Sequence, residues 1–176
     1  VDVFISPVDV DEDSPTPTAG LHPYGLNRLR LEQFLADRFD THVVRLAGLY
    51  GHGIKKNVIY DFLNDNDVHR IDSRGAFQFY GLDRLWSDLT IAMNAGLPLV
   101  HLPCEPVTVA DVAREGFGIE FTNEVADTPA RYDIRTKHAE VLPGGSVAGE
   151  RDDAHLGRGD LRAVEAFVDA VANGVL

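Results

Sequence analysis

At 176 residues and 19.3 kDa, with 44% apolar residues, the chain is long enough for one domain, or one and a small annex, around a buried core. Its 28 acidic residues against 16 basic ones leave a net charge of −12, which opposes both a nucleic-acid backbone and an anionic membrane surface as partners. A lone cysteine, Cys104, excludes a disulfide framework and a cysteine-based zinc site and fits a cytoplasmic setting, and no apolar run reaches the ~18 residues that a bilayer span needs.

The first residues, "VDVFIS", read as a buried strand. Such a strand normally has neighbours on both sides, and here Val rather than Met comes first, so further strands are expected upstream of Val1. The acidic, proline-rich stretch from Pro7 to Pro23 is expected to be a surface loop. Pro23 then opens a helix over residues 24–39 with Leu31, Phe34, Leu35 and Phe39 on its apolar side. "THVVRLAGLYG" predicts a strand ending in a glycine turn, "NVIYDFLN" a short helix, and "VHRIDSRGAFQFY" a short strand pair or extended segment. "LDRLWSDLTIAMNAG" is the clearest helix, with Leu82, Leu85, Trp86, Leu89 and Met93 as its core stripe and Gly96 just past its end. "LPLVHLP" reads as a strand. Thr108 and Asp111 form an N-cap pattern for the helix "VADVAREGFG". Residues 143–159, rich in glycine and without period, suggest a mobile loop or an insertion. "DLRAVEAFVDAVANG" closes the chain as an amphipathic helix capped by Asp160, with Leu161, Val164, Phe167, Val168 and Val171 inward. Strands alternating with helices predict an α/β architecture with parallel pairing.

The stretch "LHPYGLNRLRLEQFL" carries the chemistry. Residues four apart share a helix face, so Tyr24 and Arg28 can present a phenol and a guanidinium to one small volume. A phenol is a poor base at neutral pH unless positive charge and hydrogen bonds stabilise its phenolate. Given those, it can exchange a proton at a carbinol or carbonyl while a hydride moves to or from a nicotinamide. From spacing alone, a packed tyrosine ring and a solvated arginine are the more ordinary outcome. The seven histidines are scattered, with no pair at i, i+4 and no cysteine partner, so no metal site is expected. Lys55 and Lys56 suit either a substrate phosphate or a solvated face.

"PYGLNRLRLEQFL", "VVRLAGLYGHGIKKNVIYDFL", "FQFYGLDRLWSDL" and "EPVTVADVAREGFG", in that order, resemble the later two thirds of an extended short-chain dehydrogenase/reductase, the NAD-dependent epimerase/dehydratase family, as far as about Ala139. The resemblance implies an α/β fold with a Rossmann-type parallel sheet, whose first strands precede Val1, over residues 1–56, and a small C-terminal substrate-binding lobe over 57–176. It implies Tyr24 as catalytic acid/base and Arg28 in the place of the family's lysine, beside the cofactor ribose. Ser6 takes the place of the residue that orients the substrate hydroxyl. Tyr50 and Gly51 fall near the nicotinamide and the substrate, and His52, Asn57, Arg74, Gln78 and Tyr80 fall along the substrate pocket. NAD or NADP is the implied cofactor and a nucleotide sugar or related polar molecule the implied substrate, with the helix over residues 24–39 as a candidate homodimer face.

Three features depart from the family's pattern. The Gly-rich dinucleotide turn is not in the sequence. Arginine, bulkier and forked, replaces lysine at Arg28. Ser6 runs directly into Pro7, which shortens the spacing to Tyr24, so that residues are expected to be absent between them. These departures keep open a second reading, a non-catalytic relative that binds a ligand or a partner chain.

Overall fold

The computed structural model describes residues 2–142 and 161–175. The expected loop over 143–159 and the Asp160 cap lie outside the described residues. The elements run β1 (Val8–Val10), α1 (Pro23–Ala36), β2 (Val43–Leu46), β3 (Gly48–Tyr50), α2 (Asn57–Asn64), β4 (Ala76–Phe77), β5 (Phe79–Gly81), α3 (Leu85–Asn94), β6 (Leu99–Leu102), β7 (Val107–Thr108), α4 (Val109–Asp111), β8 (Asp133–Ile134) and α5 (Leu161–Ala172).

The architecture is α/β, with the parallel pairing expected of a Rossmann-type chain. β2 pairs in parallel with β6, residue for residue from Val43 opposite Leu99 to Leu46 opposite Leu102. β3 pairs in parallel with β5, and β1 with β8, whereas β4 and β7 are antiparallel. Parallel neighbours need a crossover, and between β2 and β6 the chain runs through α2 and α3 before returning.

Three apolar clusters hold these elements. Tyr80, Ala92, Val100, Leu102, Cys104 and Leu142 pack α3 onto β6. Val58, Ile59, Phe79, Val109, Val112, Val164 and Val168 join α2, β5 and α4 to α5, whose expected inward residues Val164 and Val168 are buried. Val3, Phe4, Leu21 and Leu29 seat α1. Thr108 caps α4 as its spacing predicts, its side chain accepting from Asp111 N at 3.0 Å. The helix continues as a π-turn over Val112–Gly116. Gly96, just past α3, takes φ +66°, the left-handed conformation that suits glycine.

Several expectations are corrected. "VDVFIS" buries Val3 and Phe4 but is not a strand, because among the described residues its backbone has no ladder to join. The acidic stretch after Pro7 is not a free loop. It contributes β1, and Glu12 turns inward to accept from His101 N at 2.6 Å, Thr136 Oγ1 at 2.7 Å and Lys137 N at 2.9 Å. Trp86, expected in the core, is 74% exposed. The buried residues of α3 are Asp88 and Ala92, because Asp88 has inward partners in the Tyr80 hydroxyl and Arg84. On α1 the large apolar residues Leu31, Phe34 and, beyond its end, Phe39 are exposed, and the buried positions are Gly25 and Leu29. Gly25 allows this contact, since a Cβ there would stand 1.8 Å from the Asp2 carbonyl oxygen.

Candidate active site

Three side chains one turn apart on α1, Tyr24, Arg28 and Glu32, line a cleft of about 820 Å³. His22 starts the helix by accepting from Tyr24 N at 3.3 Å, and Pro23 needs no donor in the first turn, so Tyr24 projects from the very beginning of α1. Arg28 donates a hydrogen bond to the Tyr24 phenol oxygen, and its guanidinium carbon lies 4.7 Å from the ring centroid. The pair expected from the spacing is therefore formed. Tyr24 remains 44% exposed and open to the cleft.

Glu32, the third member of this face, receives Arg45 from β2, with Nη2 to Oε2 at 2.9 Å and Nε to the two carboxylate oxygens at 3.3 and 3.2 Å. Arg45 also lines the cleft and is buried. Asn57, at the head of α2, has φ +66°; its Nδ2 donates to Leu49 O at 2.6 Å and its Oδ1 accepts from Ile59 N at 3.0 Å. It lines the cleft while tying α2 to β3. Gln78 also borders the cleft, but its amide is spent internally, with Nε2 donating to Cys104 O and Ile134 O and Oε1 accepting from Ile134 N. Lys56 and Arg70 add cations to the lining, to which Tyr132 and Phe77, stacked with centroids 5.5 Å apart, also contribute.

The other expected site residues stand elsewhere. Ser6 is exposed and does not border the cleft. Tyr50 packs on Phe167 at 5.8 Å, Gly51 turns the chain where a Cβ would meet Leu82 at 3.1 Å, and His52 is an exposed turn residue. Arg74 is held between Asp72 at 2.8 Å and Glu124 at 2.8 Å. Asp72 itself lines the cleft and takes five donors in all, Arg74 N, Nε and Nη2 together with Val125 N and Ala126 N. Arg74 first, then these amides, hold the Asp72 carboxyl far below the usual carboxylate range. Tyr80 is fully buried, its hydroxyl donating to Asp88 at 2.6 Å, and burial followed by that carboxylate pushes its phenol well above the ordinary value. A phenol so held does not exchange protons at neutral pH.

Glu32, Arg45, Arg70 and Tyr132 were not singled out from the sequence. Glu32 had a signal, its place four residues beyond Arg28, and Arg45 had another, a charge in the middle of the apolar strand "VVRLAG". Arg70 and Tyr132 had none. Among the described residues no group of three His, Cys, Asp or Glu could hold a metal ion, and no helix is long and apolar enough to cross a membrane.

No family model matches the sequence, and no curated protein is detectably similar to it. Solved structures are. A dTDP-4-dehydrorhamnose reductase from Clostridium acetobutylicum superposes with a TM-score of 0.67 at 17% identity, over 97% of this chain and 62% of that one. A UDP-galactose 4-epimerase matches with a TM-score of 0.63 at 13% identity, over 99% of this chain and 60% of that one. The Bordetella bronchiseptica enzyme WbmG, solved with NAD, matches with a TM-score of 0.64 at 18% identity, over 91% of this chain and 53% of that one. The chain thus carries the fold of these epimerases and reductases and spans less than two thirds of the length of each.

Proposed function

We propose that the protein belongs to an NAD(P)-dependent epimerase, dehydratase or reductase acting on a nucleotide sugar or a related polar substrate, with Tyr24 as acid/base. The observation that carries this reading is the hydrogen-bonded Tyr24–Arg28 pair opening on a cleft of about 820 Å³ in the fold of such enzymes. The cleft is of the size that small-molecule and cofactor sites have.

The chain's own residues fit one end of a nicotinamide cofactor. Arg28 supplies a fixed positive charge and hydrogen-bond donors beside the phenol, where a ribose hydroxyl could be held, while the Gly-rich turn that cradles a pyrophosphate is not in this sequence. When bound, the nicotinamide supplies hydride transfer. Tyr24 Oη gives a proton to a substrate carbonyl oxygen or takes one from a carbinol, and Arg28 stabilises the charge left on the phenol. Lys56 and Arg70, which also line the cleft, can attract the phosphates of an anionic substrate. The overall charge of −12 makes these local cations the sites where such a substrate can settle.

A non-catalytic relative is the second reading. The exposed position of Ser6 away from the cleft favours it, since no described serine or threonine lines the cleft. Titration of the full-length protein with NAD(H) and NADP(H), followed by turnover with UDP- and dTDP-sugars, separates the two. The enzyme reading expects cofactor binding and substrate conversion; the binding-module reading expects no conversion.

A further inference from the structure

α1 carries the proposed acid/base, yet only Gly25 and Leu29 of its residues are buried. A helix seated so lightly needs another constraint to fix its rotation. That constraint comes from β2. Arg45 places its Nε and Nη2 on the Glu32 carboxylate, at 2.9 Å for the shortest contact, in the planar fork geometry that sets direction as well as distance. Glu32 lies on the same face as Tyr24 and Arg28, two turns beyond the first and one beyond the second, so the direction of this bond is also the direction in which the face points.

Arg45 is itself fixed on its remaining sides. Its Nη1 lies 3.3 Å from Nε2 of His101, the residue opposite it in the β2–β6 register. A guanidinium has only hydrogens to give, so Nε2 accepts and the imidazole proton sits on Nδ1, which donates to Arg135 O at 2.9 Å. The Arg45 guanidinium also lies 5.4 Å from the Phe4 ring centroid, and Phe4 meets the His101 ring edge-on at 5.8 Å. Arg45 is 8% exposed and Glu32 22%, so the pair is shielded from the screening that weakens surface ion pairs.

We infer that Arg45 and Glu32 are a positioning pair that sets the rotation of α1 and so aims Tyr24 and Arg28 into the cleft. The catalytic consequence rests on the function proposed above; the positioning itself does not. A pair that merely added stability would, when removed, loosen the sheet and the helix together. A positioning pair loosens α1 selectively.

The test is hydrogen exchange on the full-length protein and on Glu32→Gln, Glu32→Leu and Arg45→Lys, alongside kcat and KM. Glu32→Gln keeps shape and one acceptor without charge, and Arg45→Lys keeps charge without the fork. Exchange of the amides of residues 25–32 should rise by about tenfold in Glu32→Leu and Arg45→Lys, and less in Glu32→Gln, as a charged bidentate contact gives way to a weaker one. Exchange in β2 and β6 should stay within about twofold. In an active enzyme kcat should fall in the same order while KM changes little. Equal loosening of helix and sheet, or unchanged exchange of α1, overturns the inference. Should Glu32→Leu fail to fold, the two conservative variants decide. If the parent neither binds a nicotinamide nor turns over a sugar nucleotide, the proposed function fails, and the exchange series alone still decides whether the pair positions the helix.

Discussion

Gln78 grips the backbone of Ile134 on both sides of its Cα, donating from Nε2 to its carbonyl oxygen at 2.7 Å and accepting at Oε1 from its N–H at 2.8 Å. This side chain, expected along the substrate pocket, acts as a bridge between β5's leading edge and β8, with Cys104 O as its third partner at 2.5 Å. Gln78→Leu removes the amide that pairs with these backbone groups, and a buried group that loses its partner costs ~1–3 kcal/mol. Urea unfolding should show a loss of about 3 kcal/mol. A loss below about 0.5 kcal/mol would mean that water takes over the contacts.

Acid should weaken the fold through His101. Burial, the largest influence, lowers its pKa below the usual 6.5, against the opposing pull of Glu12 and Asp11, while Arg45 adds to the lowering. The folded protein therefore holds His101 neutral where the unfolded chain already binds a proton. Stability is unaffected by this group well above pH 6.5 and falls as pH drops through that value toward the folded pKa. His101→Gln should flatten the dependence of unfolding free energy on pH below about 6.5. Asp72, whose pKa is lowered, acts in a separate window, its contribution present above about pH 4 and lost only on further acidification. An unchanged slope in the His101 variant would show that other groups set the acid limit.

Gly25→Ala should disturb α1 out of proportion to one methyl group. The added carbon would stand 1.8 Å from the Asp2 carbonyl oxygen and 3.4 Å from Leu21, so helix or N-terminal segment must move. Overpacking of this kind costs ~1–3 kcal/mol. Thermal unfolding should show that loss; an unchanged midpoint would mean that the segment around Asp2 yields freely.

Trp86→Ala should be nearly silent, within about 0.5 kcal/mol, because the ring is 74% exposed. Ile59→Ala, at 1% exposure, should cost ~2–5 kcal/mol. A comparable loss at Trp86 would place its ring in a contact beyond the described residues.

The contrast shows which features the sequence makes legible. Helical period identifies Tyr24 with Arg28 and Thr108 with Asp111, because those partners are three or four residues apart. Period also finds α3 but not its inward side. The expected stripe included Trp86, and the structure turns Asp88 inward instead, since Tyr80 and Arg84 give that carboxylate partners that no periodicity rule anticipates. On α1 the smallest residue, Gly25, marks the contact face, and the aromatic face lies outward. The Arg45–His101 and Glu12–His101 contacts span 56 and 89 residues of sequence and follow from topology alone. Gln78, between β4 and β5, and Tyr80, in β5, lie in the segment where the family resemblance places pocket residues; Gln78 borders the cleft with its amide bonded to Ile134 and Cys104, and Tyr80 is buried with its hydroxyl on Asp88.

The central claim is that the Tyr24 hydroxyl does chemistry, and the turnover of Tyr24→Phe in the full-length protein, with cofactor affinity measured in parallel, tests it most directly. The variant keeps the ring, which lies near Arg28 on an exposed helix face, and loses only the group that exchanges the proton. Loss of a general acid/base should lower kcat by ~10²–10⁴-fold while nicotinamide affinity changes by a few-fold at most. Turnover within about threefold of the parent, or a full-length protein that binds no nicotinamide, would contradict the account and leave Tyr24 and Arg28 as neighbours on a helix surface.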